Sequence, residues 1–368
     1  MDAAEYEERG LYDPNAPNAA DRRALLNWLA DRGVTLDQMV DAAAVDRLTS
    51  IAGDLALRPG ERLTVAETAE AAGLTVDRVR QLSLAIGLPV DDPERRIYTQ
   101  ADVEAFRLFG TSSGLFPEKA LMQFVRVFGS SLGRIADAAV SLFLSDVERP
   151  MTEAEAGELA LARAQYAAIA ALDSLSGQME TLLRGHMEVA IERNALARSP
   201  GSKITVNVAV GFVDLVGFTP LSRQFSVLDL SAIVDEFEGS AYDIVTSHRG
   251  RVVKLIGDEV MFVALEPQDA CEIALALVDR FAETGAKVTP RGGLAVGEIL
   301  TRGGDYYGRV VNLASRIADL AVPNEILVTP ELRARAEKSS TELAFDAAGR
   351  RLLKGFNEPI ELFALRRA

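Results

Sequence analysis

Through the first 198 residues apolar positions recur at intervals of three and four. Leu25, Leu26, Trp28 and Leu29 show this, and so do Leu159, Ala162, Tyr166 and Ile169. That spacing gathers side chains into one stripe on a helix, so this half reads as nearly all helix. From residue 204 the pattern changes. Short runs rich in aliphatic residues at Ile204–Val213, Val252–Ile256, Val260–Ala264, Gly293–Ile299 and Ile326–Val328 predict strands. They alternate with helical stretches at Pro220–His248, Pro267–Thr284 and Val310–Ala318. Strands interleaved with helices predict a sheet domain of α/β or α+β class. Helix breakers and small polar residues cluster at Arg198-Ser199-Pro200-Gly201-Ser202-Lys203, which places a domain boundary between 1–198 and 199–368.

Two segments of the helical half stand out. Leu183, Met187 and Ile191 fall at i, i+4 and i+8, predicting an amphipathic linker helix over about 178–198 that feeds the second domain. Residues 64–90 read as helix, a Gly73-Leu74-Thr75 turn and a second helix. The following RRIYTQADVEAF resembles a wing and third helix, so 64–110 looks like a helix-turn-helix unit. Across 64–110, however, five Arg face eight Asp and Glu, the wrong sign for a phosphate footprint, and no nucleic-acid partner is expected.

Composition narrows the picture further. A chain of 368 residues with 48% hydrophobic and 25% charged positions is globular and longer than one typical domain. Its net charge of −15 disfavours non-specific binding to nucleic acid or anionic membranes, and a single Cys supports neither a disulfide framework nor a thiolate metal cage. The first residues, MDAAEYEERGLYD, carry no basic-then-apolar leader, and no run approaches roughly 20 uninterrupted apolar residues. The chain therefore reads as soluble and cytoplasmic, without a transmembrane segment.

Candidate chemistry concentrates in three segments. In FVDLVGFTP a strand ends at Asp214, and Thr219-Pro220 forms a helix start. A carboxylate beside free helix N–H groups suits a metal-bound polyphosphate, although Asp214 alone fits a turn-capping role equally well. In RVVKLIGDEVMF two apolar runs meet at Gly257-Asp258. This is a hairpin signal that could bring a second carboxylate beside the first, while an isolated Gly-Asp is simply a favoured turn. In GDYYGRVVNLASR a helix beginning near Gly308 puts Asn312 and Arg316 one turn apart on one face. Read alone, those two are a solvated amide and a surface ion-pair residue.

Together and in this order the three segments resemble the catalytic domain of the class III nucleotidyl cyclases, over essentially all of residues 204–368. The resemblance implies an α+β fold with a ferredoxin-like βαββαβ palm. It implies two divalent cations per site, Mg or Mn, bound by Asp214, Asp258 and the backbone carbonyl of Leu215. It makes Lys254 and Asp305 the purine-selecting pair, Asn312 the ribose-positioning residue and Arg316 the transition-state residue. Gly217, Phe218 and Thr219 line the substrate site, and Lys354-Gly355 contacts the triphosphate. A Lys donating to adenine N1 and an Asp accepting from the exocyclic amine match adenine and mismatch guanine, so ATP is the expected substrate and cyclic AMP the product. In the family each site forms between two such domains. A chain carrying both residue sets therefore implies a homodimer with two equivalent sites.

The helical half with its linker is similar to that of the soluble actinobacterial adenylyl cyclases, whose N-terminal domain is autoinhibitory and responds to pH and fatty acids. This implies a fatty-acid ligand and a regulatory role for 1–198. His186 shares a side of the linker helix with Met179, Leu182 and Leu183, so its protonation would set a charge against an apolar face and bias packing; it also reads as a plain exposed helical residue. His248 reads as a helix C-terminal residue placed well on the dipole. Two rival readings remain: a transcription regulator whose cyclase-like domain only senses nucleotides, and another two-metal palm enzyme, which would have no use for the Lys254/Asp305 and Asn312/Arg316 sets.

Overall fold

A computed structural model describes residues 2–88, 91–111, 116–197, 205–216, 227–283 and 288–368. The chain divides into two compact units, Met1–Arg184 and Gly185–Ala368.

The first unit is helical. The helices α1 (Ala3–Glu8), α2 (Ala19–Ala30), α3 (Leu36–Ala44) and α4 (Ile51–Leu57) surround a core of Leu25, Leu26, Leu29 and Met39, joined by Ala162 and Trp28. A second core is built from α5 (Val65–Ala72), α6 (Val76–Ile86), α7 (Gln100–Thr111) and α8 (Glu118–Phe143). Within 64–90 two helices are set off by their caps. Thr64 and Thr75 each accept from a backbone N–H three residues on, starting α5 and α6, and Gly73 at φ +70° ends α5 in the left-handed region. An antiparallel bridge between Leu63 and Tyr98 supplies the wing-like pairing.

One expectation is corrected here. The linker helix does not start near residue 178. It is the end of one helix of 40 residues, α10 (Glu158–Ala197), which follows a short α9 (Arg149–Glu153). Its first turns carry the helical spacing of Leu159, Ala162, Tyr166 and Ile169, and its last turns that of Leu183, Met187 and Ile191, so the two patterns belong to one continuous helix. In addition, the helical run Glu118–Glu153 is long and apolar enough to cross a membrane by length and composition, with 6% of that window buried. A search for uninterrupted apolar residues misses it because Arg134 and Asp137 interrupt the stretch between Val127 and Leu144.

The second unit contains a sheet in the order β2-β3-β1-β4-β6-β8-β7, with β5 pairing the end of β4. The strands are β1 (Thr205–Val216), β2 (Arg251–Ile256), β3 (Glu259–Ala264), β4 (Thr289–Arg302), β5 (Asp305–Tyr307), β6 (Ile326–Val328), β7 (Leu343–Arg351) and β8 (Ile360–Arg367). The order β2-β3-β1-β4, all antiparallel, is the expected βαββαβ palm. One face is covered by α11 (Val227–Ser247), α12 (Pro267–Glu283) and α14 (Pro330–Ser339), burying Phe237, Ile273, Leu277, Phe262 and Leu332. On the other face α13 (Arg309–Ala318) packs with Ala197, Phe212, Met261, Val263 and Tyr306. Strand β1 runs past Asp214 to Val216, because β4 continues to pair with it as far as Val216 opposite Thr289. His248 follows α11, and its Nδ1–H donates to the carbonyl of Ile244 at 2.8 Å, as its C-terminal place suggests.

Candidate active site

The acidic part of the site is set by strand register. β1 and β3 pair Asp214 with Glu259, and the two-residue turn at Gly257 (φ +65°) and Asp258 joins β2 to β3. The N–H of Leu215 donates to the carbonyl of Asp258 at 3.1 Å, fixing the turn against the end of β1. Burial and the Asp214 charge push the Asp258 carboxyl above its ordinary range. Burial, then Asp214, Asp319 and Asp258, push Glu259 up to about 7. Arg291 on β4 answers the Asp214 end of this cluster: it binds Asp214 through Nε at 2.9 Å and Nη2 at 3.0 Å, while its Nη1 reaches the carbonyls of Asp319 at 2.9 Å and Ala321 at 3.2 Å. Neither Arg291 nor Glu259 was among the expected site residues. Glu259 has a sequence signal as the single charge of β3, ahead of Val260-Met261, whereas Arg291 shares β4 with Glu298 and Arg302 and is not set apart by sequence.

Two carboxylates at adjoining strand ends, with the Leu215 carbonyl next to the first, form a hard-oxygen donor set that suits a divalent cation. Among the described residues no group of three or more His, Cys, Asp or Glu has a metal-binding arrangement. A cation at Asp214 and Asp258 would thus complete its shell with carbonyl, water and substrate oxygens.

The two residues expected to read the base meet within the chain: Lys254 Nζ donates to Asp305 Oδ2 at 2.8 Å, and the Tyr306 N–H donates to Oδ1 at 2.8 Å. Burial opposes ionisation of Asp305. The bonds from Lys254 and Tyr306, with the charges of Lys254 and Arg251, outweigh it and hold the carboxyl below the usual carboxylate range.

The third set lines a cavity of about 1000 Å³ whose walls include Arg309, Asn312, Arg316, Lys354, Phe356 and Glu358. Asn312 and Arg316 lie on the exposed side of α13, whose other side buries Ala314, Ile317 and Ala318. Lys354 sits in a turn closed by the Phe356 N–H bonding the Leu353 carbonyl at 3.0 Å, with Gly355 at φ +88°. Arg316 donates to Asp319 Oδ2 at 3.0 Å. Arg309, Arg316 and Lys354 against Glu358 give these walls a positive balance, reduced by the Arg316–Asp319 pair. Asp214, Asp258, Lys254 and Asp305 are not part of its walls. Gly217, Phe218 and Thr219 lie outside the described residues. His186 is exposed on α10, as are Met179, Leu182 and Leu183 beside it.

Residues 5–190 match the family described as the adenylate cyclase regulatory domain, and residues 202–367 match the adenylate and guanylate cyclase catalytic domain. The chain belongs to the class III adenylate cyclase family. This cyclase is 33% identical to an uncharacterized protein of Mycobacterium tuberculosis over 95% of this chain and 91% of the other. It is 32% identical to an adenylate cyclase of Streptomyces coelicolor over 74% of this chain and 71% of that one. A pH-sensitive adenylate cyclase of M. tuberculosis is 31% identical over 97% of this chain and 91% of its own. Among solved structures, the adenylyl cyclase CyaB from P. aeruginosa aligns with 45% of the cyclase and 95% of its own chain at 24% identity, with a TM-score of 0.38.

Proposed function

We propose that this cyclase converts ATP to 3′,5′-cyclic AMP and pyrophosphate as a cytoplasmic homodimer, with residues 199–368 catalytic and 1–198 regulatory. The observation that carries the choice of ATP is the Lys254–Asp305 pair at 2.8 Å. Lys254 is a donor for adenine N1 and Asp305 an acceptor for the exocyclic amine, whereas guanine offers both partners the wrong polarity. Asn312 orients the ribose so that its 3′-oxygen faces the α-phosphorus in line. Arg316 donates to the α-phosphate oxygens as charge builds, and Lys354 holds the departing pyrophosphate end. Asp214, Asp258 and the Leu215 carbonyl would hold two divalent cations, Mg or Mn, which when bound favour the 3′-alkoxide and neutralise the leaving group.

The homodimer reading is supported by the division of labour within one chain. In the family one domain gives the Asp pair and the other the Lys, Asp, Asn and Arg, and the walls that carry Asn312, Arg316 and Lys354 do not include Asp214 or Asp258, so a complete site would draw the paired carboxylates from a second copy. Regulation by pH is supported by likeness to the pH-sensitive relative, with His186 as one sensing residue. A fatty acid as ligand of the helical unit is supported by apolar side chains left exposed on α8, among them Phe124, Leu132 and Ile135.

The test is product formation from ATP and from GTP with Mn²⁺, followed by mixing two inactive variants, Asp214→Ala and Arg316→Ala. Random pairing puts half the dimers in the mixed form with one intact site of two, so about a quarter of wild-type activity returns. Cyclic GMP as main product would refute the ATP reading. Mixtures as inactive as their components would refute the shared site.

A further inference from the structure

We propose that Arg251 is a positioning residue for purine selection: it ties down the arm that carries Asp305, and a β-bulge at Val253 is what brings it there. The inference rests on the reading of Lys254 and Asp305 as the base-selecting pair.

In a regular strand residues 251 and 254, three apart, point to opposite faces of the sheet. β2 is not regular. Arg251 lies opposite Val263 and Val252 opposite Phe262, but Lys254 then lies opposite Met261, leaving Val253 as an extra residue. Past that extra residue the alternation is reset, and Arg251 and Lys254 share one face. The packing agrees, since Val252 and Leu255 join the cluster containing Phe262, whereas Val253 joins the opposite cluster with Met261, Val263 and Tyr306.

On that face Arg251 meets the arm on both sides of Asp305. Its Nη2 donates to the Gly304 carbonyl at 3.0 Å, and its Nη1 donates to the Tyr306 hydroxyl at 3.2 Å. The guanidinium also lies 5.5 Å from the centre of the Tyr306 ring. The arm needs such an anchor. β5 is three residues long and pairs only with β4, from Leu300–Tyr307 to Arg302–Asp305. It returns through Gly303 and Gly304 at φ +60° and +80°, a two-residue turn that both positive angles suit. A hairpin this short is marginal by itself. Buried Tyr306 and the two bonds from Arg251 hold it against β2, so the Asp305 carboxylate has one orientation toward Lys254. Arg251 touches neither base nor phosphate in this account. It acts by denying Asp305 the freedom to turn and accept the N1–H of guanine.

The experiment measures kcat/KM for ATP and for GTP with Mn²⁺ on the full chain, comparing wild type with Arg251→Gln, Arg251→Lys and Tyr306→Phe. Arg251→Gln should narrow the preference for ATP about tenfold, the size expected for losing charge-assisted hydrogen bonds, chiefly through a higher KM for ATP. Arg251→Lys, which keeps the charge but not the fork, should recover part of the preference. Tyr306→Phe, which keeps the ring and loses one bond, should narrow it about threefold. An Arg251 that merely supported the fold would lower turnover of both nucleotides alike, and an unchanged ATP-to-GTP ratio in Arg251→Gln would overturn the inference while the cyclase reading stood. Should Arg251→Gln fail to fold, an unchanged ratio in Tyr306→Phe overturns it instead. A wild type that forms no cyclic nucleotide refutes the proposed function and this inference with it.

Discussion

Gly293→Ala probes how closely α13 must approach the sheet. Gly293 sits mid-strand in β4, paired with Phe212 on one side and Leu327 on the other. A Cβ placed there would lie 2.3 Å from the Ala318 nitrogen, 2.4 Å from the Ala314 oxygen and 2.8 Å from the Ile317 carbonyl carbon. All three are helix backbone, so no side-chain rotation relieves the clash. Non-bonded contacts want about 3.5 Å, and α13 would have to retreat by roughly 1 Å. Overpacking of this kind costs about 1–3 kcal/mol; taking ~3 kcal/mol because the obstacle is backbone, the melting temperature of a unit this size should fall by roughly 6–12 °C. The same helix carries Asn312 and Arg316, and an error of about 1 Å in catalytic groups costs on the order of 100-fold in rate. Thermal melting and kcat for cyclic AMP formation are the assays. Gly239→Ala is the control: it lies inside α11 with nothing within 4 Å of the added carbon, so it should be neutral or stabilising by up to about 1 kcal/mol. A Gly293→Ala protein melting within about 2 °C of wild type with unchanged kcat would show that α13 is free to shift and that the argument from close approach is wrong.

Other expectations concern the acidic end and the helical unit. Glu259 stays protonated in the fold up to about 7 but ionises near 4.5 when unfolded. The Glu259 contribution to metal-free stability should therefore be full below about 4.5 and fall as pH rises to about 7. The span corresponds to ~3 kcal/mol, discounted for partial exposure to roughly 2. Glu259→Gln should abolish that decline in denaturant titrations, and a decline of equal size in the variant would refute it. Mn²⁺ should raise the melting temperature of wild type, by the equivalent of about 2.7 kcal/mol at a hundred times its Kd, and leave Asp214→Asn/Asp258→Asn unmoved; equal shifts in both would place the cation elsewhere. His186→Asn should flatten the pH dependence of full-length activity, and an unaltered profile would remove His186 from the regulatory reading.

Local chemistry was legible in the sequence wherever it is carried by neighbours along the chain. The Gly257-Asp258 turn, the Thr-capped helices α5 and α6, and the Asn312/Arg316 face each need only a few adjacent residues. Arg291 was not legible because its partner Asp214 is 77 positions away and only the pairing of β1 with β4 joins them. β7 was missed because LAFDAAGRR has no sustained alternation, and most of its positions are exposed. The β5 arm is three residues long, too short for any periodicity, and becomes visible only through Tyr306 and the bonds from Arg251.

The extra residue in β2 makes part of this cyclase depend on a count rather than on an identity. Val253 packs as an ordinary half-buried aliphatic side chain, so a scan of substitutions should find Ile or Leu there nearly silent. Removing that residue is another matter. It would restore strict alternation and swing Arg251 to the far side of the sheet while leaving every motif residue in the sequence. A library of single-codon deletions should therefore expose a requirement at position 253 that a library of point mutants, however complete, passes over.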